Sequence, residues 1–424
     1  MGIIQDLLKD TQLPRMVKIR QNFKVTEIKD IAPVIREEFA KEGIGDSIRE
    51  GMRIAVAVGS RGLDRLPELV RCTAEEIKKR GGQPFIVPAM GSHGGATAAG
   101  QEKVLANLGV TADSVGCPII SSMEVVEIGK IGNGLPVHMD KHAYEADGIV
   151  VINRIKPHTA YRGPCESGLA KMLTIGLGKQ KGAETCHVYS FKHMAEHVFE
   201  MAKVKLACCK VLFGIGTVEN AYDRISTLVA VPARELIETD QKLLFEAQGK
   251  MPRILFEQMD VLVVDQMGKE ISGDGMDPNI TGRFPTPYAE GGADANKLVI
   301  LDLTQETNGN ACGVGVADYT TRKLFEKIDF DYTYANLITN TTPLPAKIPM
   351  VMADDREALL VAVKTCNARD MSKVKMVRIK DTLHLGEIMI SEAFLEAALA
   401  HPDITVCGEP KDIEFDADGN LLAW

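Results

Sequence analysis

The sequence predicts an α/β protein of two domains, each built on a mainly parallel, Rossmann-like sheet. Three observations carry that expectation. Short apolar runs such as Arg53-Ile-Ala-Val-Ala-Val58, Gly148-Ile-Val-Val-Ile152 and Asp260-Val-Leu-Val-Val-Asp265 read as strands buried on both faces. Polar, glycine-containing loops follow such runs, and segments of helical character follow the loops, which is βαβ logic. At 424 residues the chain exceeds what one hydrophobic core usually serves.

Taken in order, residues 16–24 alternate like an edge strand and 28–42 read as a helix. The strand 53–58 runs into Gly59-Ser60-Arg61-Gly62. A helix over 66–80 ends at Gly81-Gly82, a favourable C-terminal cap. The strand Pro84–Pro88 leads into Ala89-Met-Gly-Ser-His-Gly-Gly95, after which Thr97 can cap a helix from about 98 to 108. Residues 122–140 alternate and contain glycine, as a hairpin does. The strand 148–152 opens the most basic stretch of the chain, Asn153 to His187. Helices are expected over 188–206 and 233–249, with the strand Val211–Thr217 between them. The punctuation Gly249-Lys-Met-Pro252 sets the domain boundary, giving an N-terminal domain over 1–250 and a second over 251–404. The tail 405–424 alternates and is expected to return to the first domain. In the second half, 297–303 and 375–379 read as strands, and 319–328, 355–366 and 389–399 as helices. The site is expected in the cleft between the domains, where ligand sites concentrate.

Composition narrows the partners. A net charge of −9 disfavours nucleic acid and anionic membranes, which select basic surfaces. No apolar run approaches the roughly 20 residues that span a bilayer, and MGIIQDLLKD lacks the basic start of a signal peptide. Nine cysteines at scattered spacing fit reduced thiols in a cytoplasmic protein better than a disulfide scaffold. A basic pocket in an acidic chain points to a small anionic ligand.

Functional groups of open α/β sheets collect beyond the carboxyl ends of the strands. Arg61, His93 and His158 each follow a predicted strand. Arginine suits a carboxylate, which it can bind with two parallel hydrogen bonds. Two histidines flanking one carbon suit proton removal and delivery near neutrality. Each also has a plainer reading, as a surface arginine, a turn histidine or a solvated histidine. Lys171 reads as the first turn of a helix, either a surface lysine or a nucleophilic or cofactor-linking one. No Walker A loop, GxGxxG after the first strand, HExxH, zinc-finger spacing or GxSxG elbow occurs.

The ordered set Arg61, Gly91-Ser92-His93, Pro157-His158, Lys171 and His187 resembles the nickel-pincer lactate racemase family, most clearly over roughly residues 50–190. The resemblance implies a nickel-pincer nucleotide: a pyridinium mononucleotide whose sulfur–carbon–sulfur pincer grips nickel. Lys171 would tether it, and Ser92, Gly94 and Gly95 would line its site. His187 would be the fourth nickel ligand, and imidazole with soft sulfur donors suits square-planar nickel(II). His93 and His158 would be the acid/base pair, and Arg61 would hold the substrate carboxylate. The implied reaction is racemisation or epimerisation of a 2-hydroxy acid by proton-coupled hydride transfer. Other proteins would make the cofactor. The loop after 265 departs from the family pattern, and there Lys269 or Arg283 would supply the second substrate charge. Arg162, Asp274 and Asn279 would serve a larger, more polar substrate. Two alternatives stand beside this one: a lyase or hydrolase with zinc or manganese on His93, His158 and His187, and a non-catalytic binder of an anionic metabolite.

Overall fold

The computed structural model describes residues 2–422, in two compact units: Val25–Met251, and Met1–Lys24 together with Pro252–Trp424. In chain order the strands of the first half are β1 (Met16–Gln21), β2 (Arg53–Val58), β3 (Gln83–Pro88), β4 (Val125–Lys130), β5 (Pro136–Asp140), β6 (Gly148–Arg154), β7 (Val211–Glu219) and β8 (Ile225–Pro232). Those of the second half are β9 (Gln258–Met267), β10 (Asp294–Leu303), β11 (Tyr319–Thr321), β12 (Met350–Met352), β13 (Met376–Ile379), β14 (Glu387–Ser391) and β15 (Ile404–Val406).

The unit Val25–Met251 holds a sheet of order β3-β2-β6-β7-β8, parallel except for the last pair. Alternation along each strand explains its two covered faces. Ile54, Val56 and Val58 of β2 join Val150 and Ile152 of β6 in one core, while Ala55 and Ala57 join Ile149 and Val151 in the other. The helix Leu66–Lys79 covers the first core, and Leu169, Met172 and Leu173 contribute to the second. Thr97 caps the helix Ala98–Asn107 through Oγ1 to the Gly100 amide, as its side chain predicts. The hairpin β4-β5 stands apart as a two-stranded sheet with a bulge between Glu127 and Gly129.

The order 3-2-6 sets the position of the site. The chain leaves β2 toward β3 on one side, and β6 returns on the other, so β2 and β6 flank the point where the strand order reverses. Val58 at the end of β2 lies in register with both Pro88 and Ile152. The three loops at these strand ends therefore start at one edge of one sheet.

The second unit carries an eight-stranded mixed sheet of order β12-β11-β10-β9-β13-β14-β1-β15. β9 through β13 are parallel, and β14, β1 and β15 pair antiparallel. Several expectations are corrected here. β1 is no edge strand and does not belong with residues 25–250; it lies between β14 and β15. The tail stays in this unit: Met16 bridges Lys411, and Phe415 bridges Leu421. Its last two residues, like Met1, lie outside the described residues. The span 319–328 opens as strand β11 before the helix Arg322–Glu326, and 389–399 divides into the end of β14 and the helix Leu395–Ala400. In these cases pairing with a distant strand overrides local helical pattern. Among the described residues no helix is long and apolar enough to cross a membrane.

Candidate active site

Arg61, His93 and His158 follow β2, β3 and β6, three neighbouring strands, at one sheet edge. The loops of Arg61 and His93 are joined directly, because Ser60 Oγ and His93 Nδ1 share a short hydrogen bond. Arg61 and His93 are both exposed. The turn after β3 takes positive φ at Gly91 (59°), Gly94 (67°) and Gly95 (65°). At Gly94 space is lacking as well, since a Cβ there would sit 2.5 Å from the carbonyl carbon of Gly100.

That turn is held from within. Gln101, fully buried, donates from Nε2 to the carbonyl oxygens of Gly91 (2.8 Å) and His93 (3.3 Å). Its Oε1 accepts from Lys179 Nζ at 3.0 Å, and Lys179 also donates to Pro88 O at 2.5 Å. Lys179 is itself fully buried and lies 3.3 Å from the equally buried carboxylate of Asp140. Asp140 Oδ2 makes no aligned hydrogen bond, so that contact is an ion pair alone. Burial draws the Lys179 pKa down and Asp140 opposes the shift. Lys179 begins the helix Lys179–His187, so one buried relay joins the His93 loop to the helix that ends in His187.

The loop after β6 is folded around a buried carboxylate. Glu166 accepts from the His158 amide (2.7 Å) and the Gly163 amide (3.2 Å), and pairs with Arg162 Nη1 at 3.3 Å. Arg162 also donates to the His158 carbonyl at 2.8 Å, so this side chain braces the loop. His158 Nδ1 accepts from the Ala160 amide at 3.0 Å, which places the proton of the neutral ring on Nε2. Its ring packs on Tyr161, centroids 4.4 Å apart, and near Phe191 at 6.0 Å. Burial pushes the His158 pKa well below the ordinary histidine value, and the charges of Lys171 and His187 add to the shift.

Lys171 ends the turn Leu169–Lys171 and is half-buried; a π-helical turn, Met172–Gly176, comes directly after it. His187 closes the next helix. Its Nδ1 lies 2.7 Å from the carbonyl oxygen of Ala183, an acceptor only. The proton is therefore on Nδ1, and the Nε2 lone pair is the donor side of the ring. Burial lowers the His187 pKa first, with Lys171 adding a smaller downward effect. His187 also meets Phe191 edge to face, centroids 5.5 Å apart. His158 and His187 thus both pack against Phe191, and the charge of Lys171 acts on both rings.

A metal held by several protein side chains has no such grouping to draw on: among the described residues no three His, Cys, Asp or Glu side chains are gathered as a metal site. His93, His158 and His187 are not one ligand set, as the lyase alternative requires. The donor chemistry at His187 instead fits a group that brings its own ligands. It is one neutral imidazole, its tautomer fixed by a carbonyl, with a ring that feels the charge of Lys171.

In the second unit Lys269 lies in the loop after β9, where its Nζ donates to Gly273 O. Arg283 is committed to its own surroundings: Nη2 donates to Asp318 Oδ2 (3.0 Å), Ala295 O (3.0 Å) and Asn296 O (2.9 Å). This is the pattern of a brace across the start of β10. Asn279 donates to Asp277 at 2.8 Å, and Asp274 lies in the same loop as Lys269.

Sequence reasoning passed over Ser60, Gln101, Asp140 and Glu166 as working residues, and took Lys179 only as one of the basic groups of the stretch Asn153 to His187. Ser60 and Lys179 at least stand inside the glycine-rich loops singled out there. Gln101 and Asp140 carry no local signal, because their role exists only after distant loops meet.

Residues 5–198 match the lactate racemase N-terminal domain, so the resemblance read from the sequence holds over that span. Among solved structures, the lactate racemase apoprotein from Thermoanaerobacterium thermosaccharolyticum aligns with 92% of this chain and 96% of its own. The identity is 12% and the TM-score 0.44. No curated protein sequence matches the chain.

Proposed function

We propose, from the lactate racemase N-terminal domain that residues 5–198 match, that this protein is an isomerase that racemises or epimerises a 2-hydroxy carboxylic acid with a nickel-pincer nucleotide. The observation that carries the proposal is the packing of His158 and His187 on one ring, Phe191, with the His187 tautomer fixed by Ala183 and the charge of Lys171 acting on both. His93 and Arg61 stand at the same sheet edge as His158.

In this reading Lys171 and His187 hold the cofactor, the first through its amine and the second through Nε2 to nickel. Ser92, Gly94 and Gly95 line its site. The bound group supplies the hydride-accepting carbon. The chain's residues do the rest. Arg61 takes the substrate carboxylate with a charge that never titrates in the working range. His158, kept neutral by burial, serves one enantiomer, and to accept its hydroxyl proton the ring must give up the hydrogen bond that Nδ1 takes from the Ala160 amide. His93 serves the other, with Ser60 holding its ring through Nδ1. Two bases are needed because the enantiomers set their hydroxyls on different sides of the reacting carbon. Positioned acid/base groups of this kind typically contribute about 10²–10⁴ in rate.

The test is intact mass and metal analysis on protein co-expressed with the proteins that build the cofactor. A Lys171 adduct with about one nickel per chain would support the reading, to be followed by a screen of 2-hydroxy acids for loss of optical rotation. A chain with neither adduct nor nickel under those conditions would defeat it. Tight binding of a 2-hydroxy acid without exchange of its hydrogen would favour the non-catalytic binder.

A further inference from the structure

Two buried charges flank Lys171, and the mechanism above uses neither. Asp240, from the helix Leu236–Lys250, is 1% exposed; Lys205, from the helix Met194–Cys208, is fully buried. Neither forms an ion pair among the described residues. Asp240 instead accepts from the amides of Leu169 (2.8 Å) and Ala170 (3.3 Å), the first residues of the Lys171 turn. Lys205 Nζ donates to the carbonyl oxygens of Leu173 (2.7 Å) and Thr174 (3.2 Å), just beyond Lys171. A carboxylate thus meets the electropositive start of the segment and an ammonium meets its electronegative carbonyls.

Closer detail shows how little slack this leaves. A Cβ on Gly168 would sit 2.1 Å from Asp240 Oδ1, so the backbone approaches the carboxylate as only glycine allows. Asn153, in β6, donates to the Gly168 carbonyl at 2.7 Å. Thr174 Oγ1 donates to Val198 O at 3.0 Å, on the helix that carries Lys205. The π-helical turn Met172–Gly176 is where ordinary α-helical bonding is lost, and Lys205 caps two of its carbonyls. Any slip of this segment would strand a buried charge, which costs several kcal/mol.

We propose that Asp240 and Lys205 are positioning residues for Lys171, clamping the turn that presents its amine from both sides. That Lys171 matters rests on the function proposed above; the clamp rests on the geometry alone.

The test is site-specific acetylation of Lys171 in the full, cofactor-free chain, read by peptide mass spectrometry. Lys181 and Lys192, both exposed on neighbouring segments, are the internal references. The variants are Lys205→Met, Lys205→Arg and Asp240→Asn. In Lys205→Met the Lys171 rate is expected to rise at least threefold against both references, and Lys205→Arg to restore the wild-type ratio. Asp240→Asn, which keeps one acceptor but loses the charge, is expected to give a smaller rise. It carries the test if Lys205→Met does not fold. A folded variant whose Lys171 ratio stays at the wild-type value overturns the proposal. Failure of the wild-type chain to gain a Lys171 adduct on co-expression would sink the functional reading and leave this result standing.

Discussion

His187 gives its Nδ1 proton to the carbonyl oxygen of Ala183, one helical turn earlier and 2.7 Å away. The bond lies within a single helix, so the donor nitrogen is oriented before any ligand arrives. Replacing His187 by Gln removes the imidazole and keeps a polar side chain at a half-buried site. Nickel content of co-expressed protein is expected to fall at least tenfold, with the thermal midpoint within a few degrees of wild type. Elemental analysis and calorimetry check both.

His158 is held neutral by burial and by the charges of Lys171 and His187. Its folded pKa lies below its unfolded one, so between the two the unfolded chain binds more protons. The native state therefore loses stability as pH falls through that window below about 6.5. Catalysis that needs the neutral ring should persist below pH 6.5, without the acid limb an ordinary histidine would give. Rate profiles in both directions check this. His158→Gln is expected to lose about 10²–10³ in kcat, with a smaller effect on KM.

Lys205 titrates in the opposite sense to a paired lysine. Burial brings it down to about 7. From there upward the unfolded chain holds the extra proton, so stability should rise with pH from about 7 to 8.5. Above that, thiols such as Cys186, pushed up to about 12, reverse the trend. Denaturant melts at pH 7 and 8.5 should differ by on the order of 1 kcal/mol or more, and Lys205→Met should flatten the difference.

Gln101 binds two carbonyls of the His93 turn and Lys179 together. Gln101→Leu takes the side-chain donor from those carbonyls and removes one of the acceptors of the buried Lys179 ammonium. A loss of about 2–3 kcal/mol is expected, with faster amide hydrogen exchange over residues 89–97. Unchanged exchange there would contradict the role given to this side chain.

Arg283 braces Asp318 and two carbonyls. Arg283→Ala should lower stability by about 1–2 kcal/mol and leave substrate KM within twofold.

How much of this was legible in the sequence depends on how far each group's partners lie along the chain. Apolar runs such as 53–58 and 148–152 announce buried parallel strands, and the polar loops at their ends announce Arg61, His93 and His158. A strand end is a local event, readable from a few residues. The supports are of another kind. Gln101 acts on Gly91 and His93 nearby, yet only because Lys179 arrives from 78 residues away. Asp240 reaches back 71 residues to Leu169. As isolated letters, a glutamine, a lysine and an aspartate on helices look like solvated faces. The fate of residues 16–21 was hidden for the same reason: alternation names a strand but not its neighbours.

β1 pairs with β14 and β15, while the 227 residues of Val25–Met251 form a unit of their own between them. That arrangement sets an order on biosynthesis. At ribosomal rates of about 5–20 residues per second, β1 leaves the ribosome roughly 20 to 70 s before β14 exists. Over that interval the segment that becomes the seventh strand of the larger sheet has no partner, while the intervening unit is already complete. The unit bearing Lys171 and His187 can mature first. The larger sheet then waits on the last forty residues, a window in which an unpaired N-terminal strand is exposed to chaperones and to other nascent chains.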